Sequence, residues 1–219
     1  MIEQGSLEWY KQRLGYFTSS EVGKLLVKSK SKDKVFGGTA EKYILSVAAE
    51  REIDERFLDI ESGAFEMYLK RVETYSKYMK WGKDIEDMAR NAYAEEKGYE
   101  VEEVGFLECN NYYGDSSDGI CKKDGITVGC LEIKCPAPET HKEYRQMETA
   151  EDLKIKNQTY YAQCQMHCVA WGVNWCDFVS YDPMCKTPLH IVNIPRNDDF
   201  IKEITGRIEL ANKYIESLN

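Results

Sequence analysis

The most informative residues of the sequence are SSDG at 116–119 and, beyond a turn, LEIKCP at 131–136. Alternate side chains of a β-strand point to the same face. Glu132 and Lys134 therefore share one face of a strand, while the apolar residues between them pack on the other. Asp118 lies just before the preceding strand of a predicted hairpin, so the fold-back brings its carboxylate near Glu132.

This pattern has a chemical interpretation and a plain structural one. Two carboxylates and a nearby carbonyl oxygen are the ligands that Mg²⁺ prefers, and such an ion neutralises a scissile phosphate and generates a hydroxide nucleophile. A lysine beside the ion can steady the water, act as a base or offset phosphate charge. A surface salt bridge among Asp118, Glu132 and Lys134 explains the same spacing without any catalysis.

The surrounding periodicity predicts an α/β protein. Helical spacing is found at 7–14, 18–26, 39–78 with a break near 62–63, 81–98, 139–153, 157–171 and in the C-terminal tail. The apolar face of the helix at 81–98 is formed by Ile85, Met88, Ala89 and Ala92, and the tail carries one apolar stripe of Ile201, Ile204, Ile208, Ala211, Ile215 and Leu218. Strand-like runs are found at 99–107, 119–122, 127–135, 173–181 and 189–194. We expect an α/β core flanked by helices.

Composition excludes some classes of protein. The 219 residues carry a formal charge of −9, which argues against a non-specific DNA coat protein but leaves room for one basic channel. No apolar run approaches the ~20 residues of a membrane helix, and no secretory signal is evident. We expect a cytoplasmic location, with the eight cysteines as free buried thiols; a metal site of Cys164, His167 and Cys168 is a weaker alternative.

Three N-terminal features allow specific predictions. Ser6 is predicted to cap a helix, and the sequence TSSE at 18–21 matches a capping box that opens another. The lysine-rich segment from Val27 to Gly38 is predicted to be a loop. It is either a solvated mobile loop or a basic flap over DNA.

Further motifs occur together and in one order. They are RLG at 13–15, TSSE at 18–21, WGK at 81–83 with Glu86, SSDG at 116–119, LEIKCP at 131–136, YAQCQ at 161–165 and YDP at 181–183. This set, spread over roughly 9–195, resembles the lambda-type phage exonucleases, a YqaJ-like viral recombinase family of the PD-(D/E)XK nuclease superfamily. The resemblance implies a restriction-endonuclease-like fold, with a central mixed β-sheet flanked by helices. It implies one domain over 1–219, with a helical part at about 1–98 and the catalytic sheet and helices at about 99–219.

The resemblance also implies roles for individual residues. Asp118 and Glu132 would bind magnesium with the main-chain carbonyl of Ile133, and Lys134 would help to activate the attacking water. Glu86 matches a glutamate at the edge of the metal site; alternatively it is a surface residue on a charged helix.

Gln163 matches a glutamine that helps to position the catalytic centre. Gln165 competes for that role, and a polar residue on a helix surface is the structural alternative.

A second site would read the DNA end. The resemblance implies that Arg13, Ser20 and Ser116 form the pocket for the terminal 5′-phosphate. With Thr18 as the cap, Ser19 and Ser20 would stand in the first helical turn, where free N–H groups favour an anion. Arg13 as a helix-terminal charge without a ligand is the alternative.

The activity expected from the resemblance is a Mg²⁺-dependent 5′→3′ exonuclease on double-stranded DNA, with Mn²⁺ as a possible substitute. Such enzymes form a homotrimeric ring and leave 3′ single strands for a single-strand annealing protein, here in the host cytoplasm if the gene belongs to a phage. A structure-specific or restriction-like endonuclease is the main alternative, and a DNA-binding protein with an inactive nuclease fold is a third.

The chain departs from the family pattern at two points. Ser117 stands where a proline is expected, which loosens a turn but removes no ligand. The stretch between Asp118 and Glu132 is longer by several residues, which a longer hairpin turn would absorb.

Overall fold

The computed structural model describes residues 2–72 and 77–218, apart from the side chains of residues 77–80 and 83. Part of the predicted helix 39–78 and the Lys83 side chain of the WGK motif therefore lie outside the described part. The helices are α1 (Leu7–Arg13), α2 (Gly38–Arg51), α3 (Ala64–Val72), α4 (Lys77–Lys97), α5 (Pro138–Tyr144), α6 (Ala150–Lys156), α7 (Gln158–Trp171) and α8 (Asp198–Glu216). The strands are β1 (Phe17–Thr18), β2 (Glu100–Glu102), β3 (Leu107–Glu108), β4 (Tyr113–Asp115), β5 (Gly119–Lys123), β6 (Ile126–Lys134), β7 (Trp175–Tyr181) and β8 (Leu189–Pro195). Short 3₁₀ helices cover Val22–Leu26 and Glu55–Phe57.

The described residues fall into two compact units, the first of which comprises 2–72, 105–116 and 198–218. It contains a small sheet in the order β1-β4-β3, where β1 is parallel to β4 and β3 is antiparallel. Its longest helix, α8, buries one stripe of side chains at alternating three- and four-residue spacing. These side chains are Ile201, Ile204, Ile208, Ala211 and Ile215. The predicted C-terminal stripe is confirmed up to Ile215, whereas Leu218 is exposed.

The second unit comprises 77–104 and 117–197 and is built on a five-stranded mixed sheet in the order β2-β5-β6-β7-β8. β6 and β7 are parallel neighbours, and the other pairs are antiparallel. Helices α4 and α7 contact this sheet. The predicted α/β core, with a central mixed sheet flanked by helices, is confirmed.

The two faces of β6 differ as the alternation of its side chains predicts. Leu131 and Ile133 join a buried apolar cluster with Ile85 and Tyr93 of α4. The side chain of Glu132 lies on the other face, where it contacts α7. The strand therefore separates an apolar layer from a layer that carries ionisable groups.

Several local predictions were wrong. Thr18 does not cap a helix: it lies in β1, and the following helix begins only at Val22, after Glu21, without a side-chain cap. The pairing of Thr18 with Gly114 of β4 holds Thr18 in extended backbone, so Ser19 and Ser20 lie in the turn before the helix. Met88, expected on the apolar face of α4, is exposed.

The N-terminal cap and the lysine-rich loop agree with expectation. Ser6 accepts a hydrogen bond from the Trp9 backbone N–H, and residues 28–37 lie outside any helix or strand, with α2 beginning at Gly38. The four lysines of this loop are exposed. Within the described ranges, no helix is both long enough and apolar enough to span a bilayer.

Candidate active site

The β5–β6 hairpin places Asp118 beside β6. The Asp118 backbone N–H donates to the Leu131 carbonyl at 3.1 Å, which continues the ladder one residue beyond β5. The Ile133 backbone N–H donates to Asp118 Oδ2 at 2.6 Å. The aspartate carboxylate is thereby fixed next to the residue that follows Glu132 in the chain.

Glu132 is fully buried, and each of its carboxylate oxygens meets a basic side chain. Lys134 forms an ion pair with Oε1, and His167 Nε2 lies 2.8 Å from Oε2. Burial opposes ionisation of Glu132, but Lys134 and His167 outweigh it and lower the pKa of this carboxyl. Burial also opposes the charge on Lys134, whose pKa is nevertheless raised by Glu132 and Asp118. The pair is therefore ionised at neutral pH.

Asp118 and Glu86 carry negative charge into the same cluster. Burial raises the pKa of Asp118 well above its usual range, and the charges of Glu132 and Glu86 raise it further. The pKa of Glu86 is likewise raised, by burial and then by Glu132, with Arg90 opposing. Three carboxyls thus share one region with more negative charge than Lys134 and Arg90 relieve.

Arg90 joins two parts of this cluster. Its Nε donates to the Asp118 main-chain oxygen at 2.9 Å, and its Nη2 donates to Glu86 Oε1 at 2.8 Å. Arg90 and Glu86 are one turn apart on α4, which is the spacing at which helical side chains meet. The arginine side chain itself is buried, so it fixes Glu86 relative to the start of β5.

Helix α7 contributes one face to the cluster. Tyr160 lies under Lys134 Nζ, at 4.9 Å from the ring centroid, and His167 contacts Glu132. Gln163 lies between them on the same helical face. It is buried, at 5% exposure, and none of the described residues bonds its amide.

The Gln165 side chain points away from the cluster of Asp118, Glu132 and Lys134. Its amide nitrogen donates to the Pro195 carbonyl at 2.8 Å, and its oxygen accepts from the Asn197 backbone N–H at 2.7 Å. Both ends are occupied by main-chain groups at the end of β8. The geometry therefore leaves Gln163 as the glutamine that faces Glu132 and Lys134.

The donor set fits a hard cation. Asp118 and Glu132 offer carboxylate oxygens. Burial raises the pKa of Asp118, and the repulsion by Glu132 and Glu86 that raises it further is of the kind that a bound cation removes. Within residues 2–72 and 77–218, no three His, Cys, Asp or Glu side chains converge as a complete metal cage. Mg²⁺ commonly binds through one or two carboxylates and completes its shell with water and substrate phosphate oxygens.

The residues predicted to read a phosphate are gathered in the first unit. The Arg13 guanidinium stacks on the Trp9 ring at 3.9 Å and lies 3.4 Å from Ser20 Oγ. Trp9 Nε1 donates to Ser116 Oγ at 3.1 Å. Burial lowers the pKa of Arg13, and no described acidic side chain forms an ion pair with it. Trp9 thus organises Arg13 and Ser116 together, with spare donors on the guanidinium.

The cysteine alternative fails. All eight cysteines are free thiols, and His167 bonds Glu132 rather than completing a site with Cys164 and Cys168. Three members of these clusters, His167, Arg90 and Trp9, were not predicted from the sequence. The four-residue spacings from Gln163 to His167, from Glu86 to Arg90 and from Trp9 to Arg13 were the available signals.

Together, the mixed sheet and the cluster of Asp118, Glu132 and Lys134 on adjacent strands define a protein of the PD-(D/E)XK nuclease class. The chain belongs to the YqaJ-like viral recombinase domain family, whose model matches residues 8–172. No curated protein sequence matches it.

Solved structures agree with this family. An alkaline exonuclease, LHK-Exo from Laribacter hongkongensis, is 26% identical, with a TM-score of 0.72 over 97% of this chain and 93% of that one. The same enzyme in complex with dAMP gives 27% identity and a TM-score of 0.72 over the same shares of the two chains. A phage-related exonuclease from Haemophilus somnus 129PT, 16% identical with a TM-score of 0.65 over 93% of this chain and 94% of that one, shares the fold.

Proposed function

We propose that the chain is a Mg²⁺-dependent exonuclease that degrades double-stranded DNA 5′→3′ and leaves 3′ single strands for recombination by strand annealing. The observation that carries the proposal is the grouping of Asp118, Glu132 and Lys134 on the β5–β6 hairpin. Family membership supports it, as does similarity to an exonuclease whose structure was solved with a deoxynucleoside monophosphate.

The residues of the cluster would have different roles in the reaction. Asp118, Glu132 and the Ile133 carbonyl would hold the cation, which supplies a nucleophilic hydroxide and neutralises phosphate charge when bound; Mn²⁺ can substitute. Lys134 stays protonated beside the ionised Glu132, so it donates to the attacking water or to a phosphate oxygen rather than starting as a free base. Gln163 and Glu86 would position the water and the cation shell.

The polarity of digestion would come from Arg13, Ser20 and Ser116. A half-buried guanidinium stacked on Trp9 has little conformational freedom left to lose and can grip a terminal phosphate through a two-pronged hydrogen bond. Ser20 and Ser116 would add hydroxyl donors. Holding the 5′ end at a fixed place sets which phosphodiester reaches the cation, which is an orientation effect.

The assembly belongs to the same proposal. A homotrimeric ring would enclose the duplex, and a single-strand annealing protein would receive the 3′ strand. We place the enzyme in the cytoplasm of the host cell, where the free thiols would remain reduced.

The activity is tested on two DNA substrates. Linear duplex and covalently closed circular duplex are incubated with the protein and Mg²⁺, and intact DNA is measured over time. The proposal predicts loss of linear DNA only. Loss of both substrates means a structure-specific or restriction-like endonuclease, and loss of neither means a binding protein with an inactive nuclease fold.

The end-reading site is tested with Arg13→Ala. The variant is expected to slow digestion of 5′-phosphorylated duplex by at least about tenfold, because the charge-assisted bond to the terminal phosphate is lost, and to change digestion of 5′-hydroxyl duplex little. Ser20→Ala should act the same way more weakly. Lys11→Ala, an exposed cation of the same helix, is the matched control and is expected to be neutral. Equal slowing of both substrates would make Arg13 a structural residue or a general DNA clamp.

A further inference from the structure

His167 lies on α7 in the second unit, directly against Glu132. Its side chain is fully buried, and Nε2 lies 2.8 Å from Glu132 Oε2. An ionised carboxylate only accepts hydrogen bonds, so the imidazole must carry its proton on Nε2 and donate it. The contact joins residues 35 positions apart in the chain, which local sequence spacing does not prescribe.

The position of His167 is fixed by the helix that carries it. α7 begins with Asn157, whose side chain accepts from the Tyr160 backbone N–H, and ends at Gly172 in a left-handed conformation. Both features set the helix boundaries and therefore the direction of each side chain. The helix contacts both β6 and β7, so His167 cannot follow Glu132 if that carboxylate rotates.

The two oxygens of Glu132 are used differently. Oε2 receives the imidazole N–H, whereas Oε1 faces Lys134. Without the hydrogen bond from His167, the Glu132 carboxylate could rotate, and either of its oxygens could then face Lys134. Hydrogen bonds of this type orient metal-binding carboxylates, and their removal typically costs about 10–100-fold in metal affinity or activity.

We propose that His167 is a positioning residue for the cation site: by donating to Glu132 Oε2 it locks the carboxylate so that Oε1 is presented to the cation. This inference rests on the proposed function, since it assigns His167 to the same site. His167 itself contacts neither cation nor DNA in this assignment.

The chain supplies a matched control. His141 is also fully buried in the second unit, but its ring nitrogens contact Ser180 Oγ at 2.7 Å and the Thr187 carbonyl at 3.2 Å. The third histidine, His190, contacts the Met147 carbonyl. Among the described contacts, His167 is thus the histidine that meets a carboxylate, and His141 matches it in burial without that partner.

The experiment measures cation binding without DNA. Mn²⁺ is titrated into wild type, His167→Leu, His167→Gln and His141→Leu, and free Mn²⁺ is followed by electron paramagnetic resonance. We expect His167→Leu to raise the half-saturating Mn²⁺ concentration by at least about tenfold. His167→Gln, whose amide reaches as far as Nε2, is expected to stay within about threefold of wild type. His141→Leu should lower the melting temperature yet leave Mn²⁺ affinity unchanged.

Two results would overturn the inference. One is Mn²⁺ affinity in His167→Leu equal to that of wild type; the other is an equal loss in His141→Leu, which would make the effect one of general packing. If His167→Leu does not fold, His167→Asn replaces it, because the shorter amide does not reach Oε2 and the same tenfold loss relative to Gln is expected; equal affinity of the Asn and Gln variants would contradict the account. Wild-type protein that binds no Mn²⁺ would overturn the proposed function and this inference together.

Discussion

Two buried acids stand on neighbouring parallel strands of the same sheet, Glu132 on β6 and Asp177 on β7. Both are almost completely shielded, at 0% and 1% exposure, and each has a lysine within ion-pairing distance. They differ in the side chains that surround each carboxylate. The difference indicates which buried carboxylate has a functional role and which one has a structural role.

Asp177 is satisfied by its surroundings. It accepts from Tyr93 Oη at 2.8 Å and from Asn193 Nδ2 at 2.7 Å, and Lys97 lies 3.6 Å away. Burial and then the charge of Asp177 raise the pKa of Tyr93, so the phenol remains a donor. Two neutral donors and one lysine surround a single acid, which is how proteins commonly accommodate a buried charge.

Glu132 lies instead among other acids. Burial raises the pKa values of both Asp118 and Glu86, the charge of Glu132 raises them further, and Lys134 opposes only part of this effect. A folded protein rarely gathers like charges without a use for them. Burial is common to both carboxylates, so it does not distinguish a functional acid from a structural one. Of the two, only Glu132 lies in a cluster of acids.

The largest expected effect is on catalysis. Asp118→Ala, Glu132→Ala and Lys134→Ala are each expected to reduce DNA cleavage by at least about a hundredfold, since each removes a cation ligand or the lysine that steadies the nucleophile. The Lys134 variant should still bind Mg²⁺. Far-ultraviolet circular dichroism checks that the fold persists. More than about a tenth of wild-type activity in any of the three would reject the assigned site.

The second effect is on stability and concerns the other acid. Asp177→Ala is expected to lower the free energy of unfolding by about 3 kcal/mol, because Tyr93, Asn193 and Lys97 lose a shared buried partner. Cleavage per folded molecule should stay close to wild type. Urea denaturation followed by cleavage assays at low temperature measures both quantities. A folded Asp177→Ala protein without activity would place Asp177 in the catalytic machinery, and the distinction between Asp177 and Glu132 would then be wrong.

The smallest expected effect is on the pH dependence of stability. A raised folded-state pKa for Asp118 means that the unfolded state ionises first, so wild type loses stability as the pH rises above about 4. Asp118→Asn removes this loss and is expected to be more stable at pH 7 by about 1 kcal/mol without added cation. Below about pH 4 the two proteins should melt alike. A variant that is less stable than wild type at pH 7 would show that Asp118 is not repelled.

Patterns within single elements were sufficient to predict most of the fold. Strand alternation in β6 places Glu132 and Lys134 on one face, and the short turn fixes its pairing with β5. The hairpin was predicted to bring Asp118 near Glu132, and the Asp118 carboxylate bonds the backbone of Ile133, the next residue in the chain. The apolar stripe of α8 is similarly local. These features could be predicted because the covalent chain alone sets their geometry.

The remaining features depend on contacts between distant segments. Thr18 matches a capping box in sequence, yet pairing with Gly114 makes it part of a strand, and β4 was not predicted at all. The His167 contact with Glu132 likewise needs α7 to pack on β6. The roles of the phosphate-reading and catalytic residues, and the single-domain organisation, stay predictions.

The most direct test compares Asp118→Asn with Asp177→Asn, since each removes one charge from a buried or half-buried carboxyl and keeps its shape. Mg²⁺ binding to both variants and to wild type is measured by isothermal titration calorimetry without DNA. The account predicts that Asp118→Asn weakens Mg²⁺ binding by at least about tenfold, because carboxylate charge governs the affinity of such sites, while Asp177→Asn binds as wild type does. Equal affinities in all three proteins, or an equal loss in both variants, would contradict it.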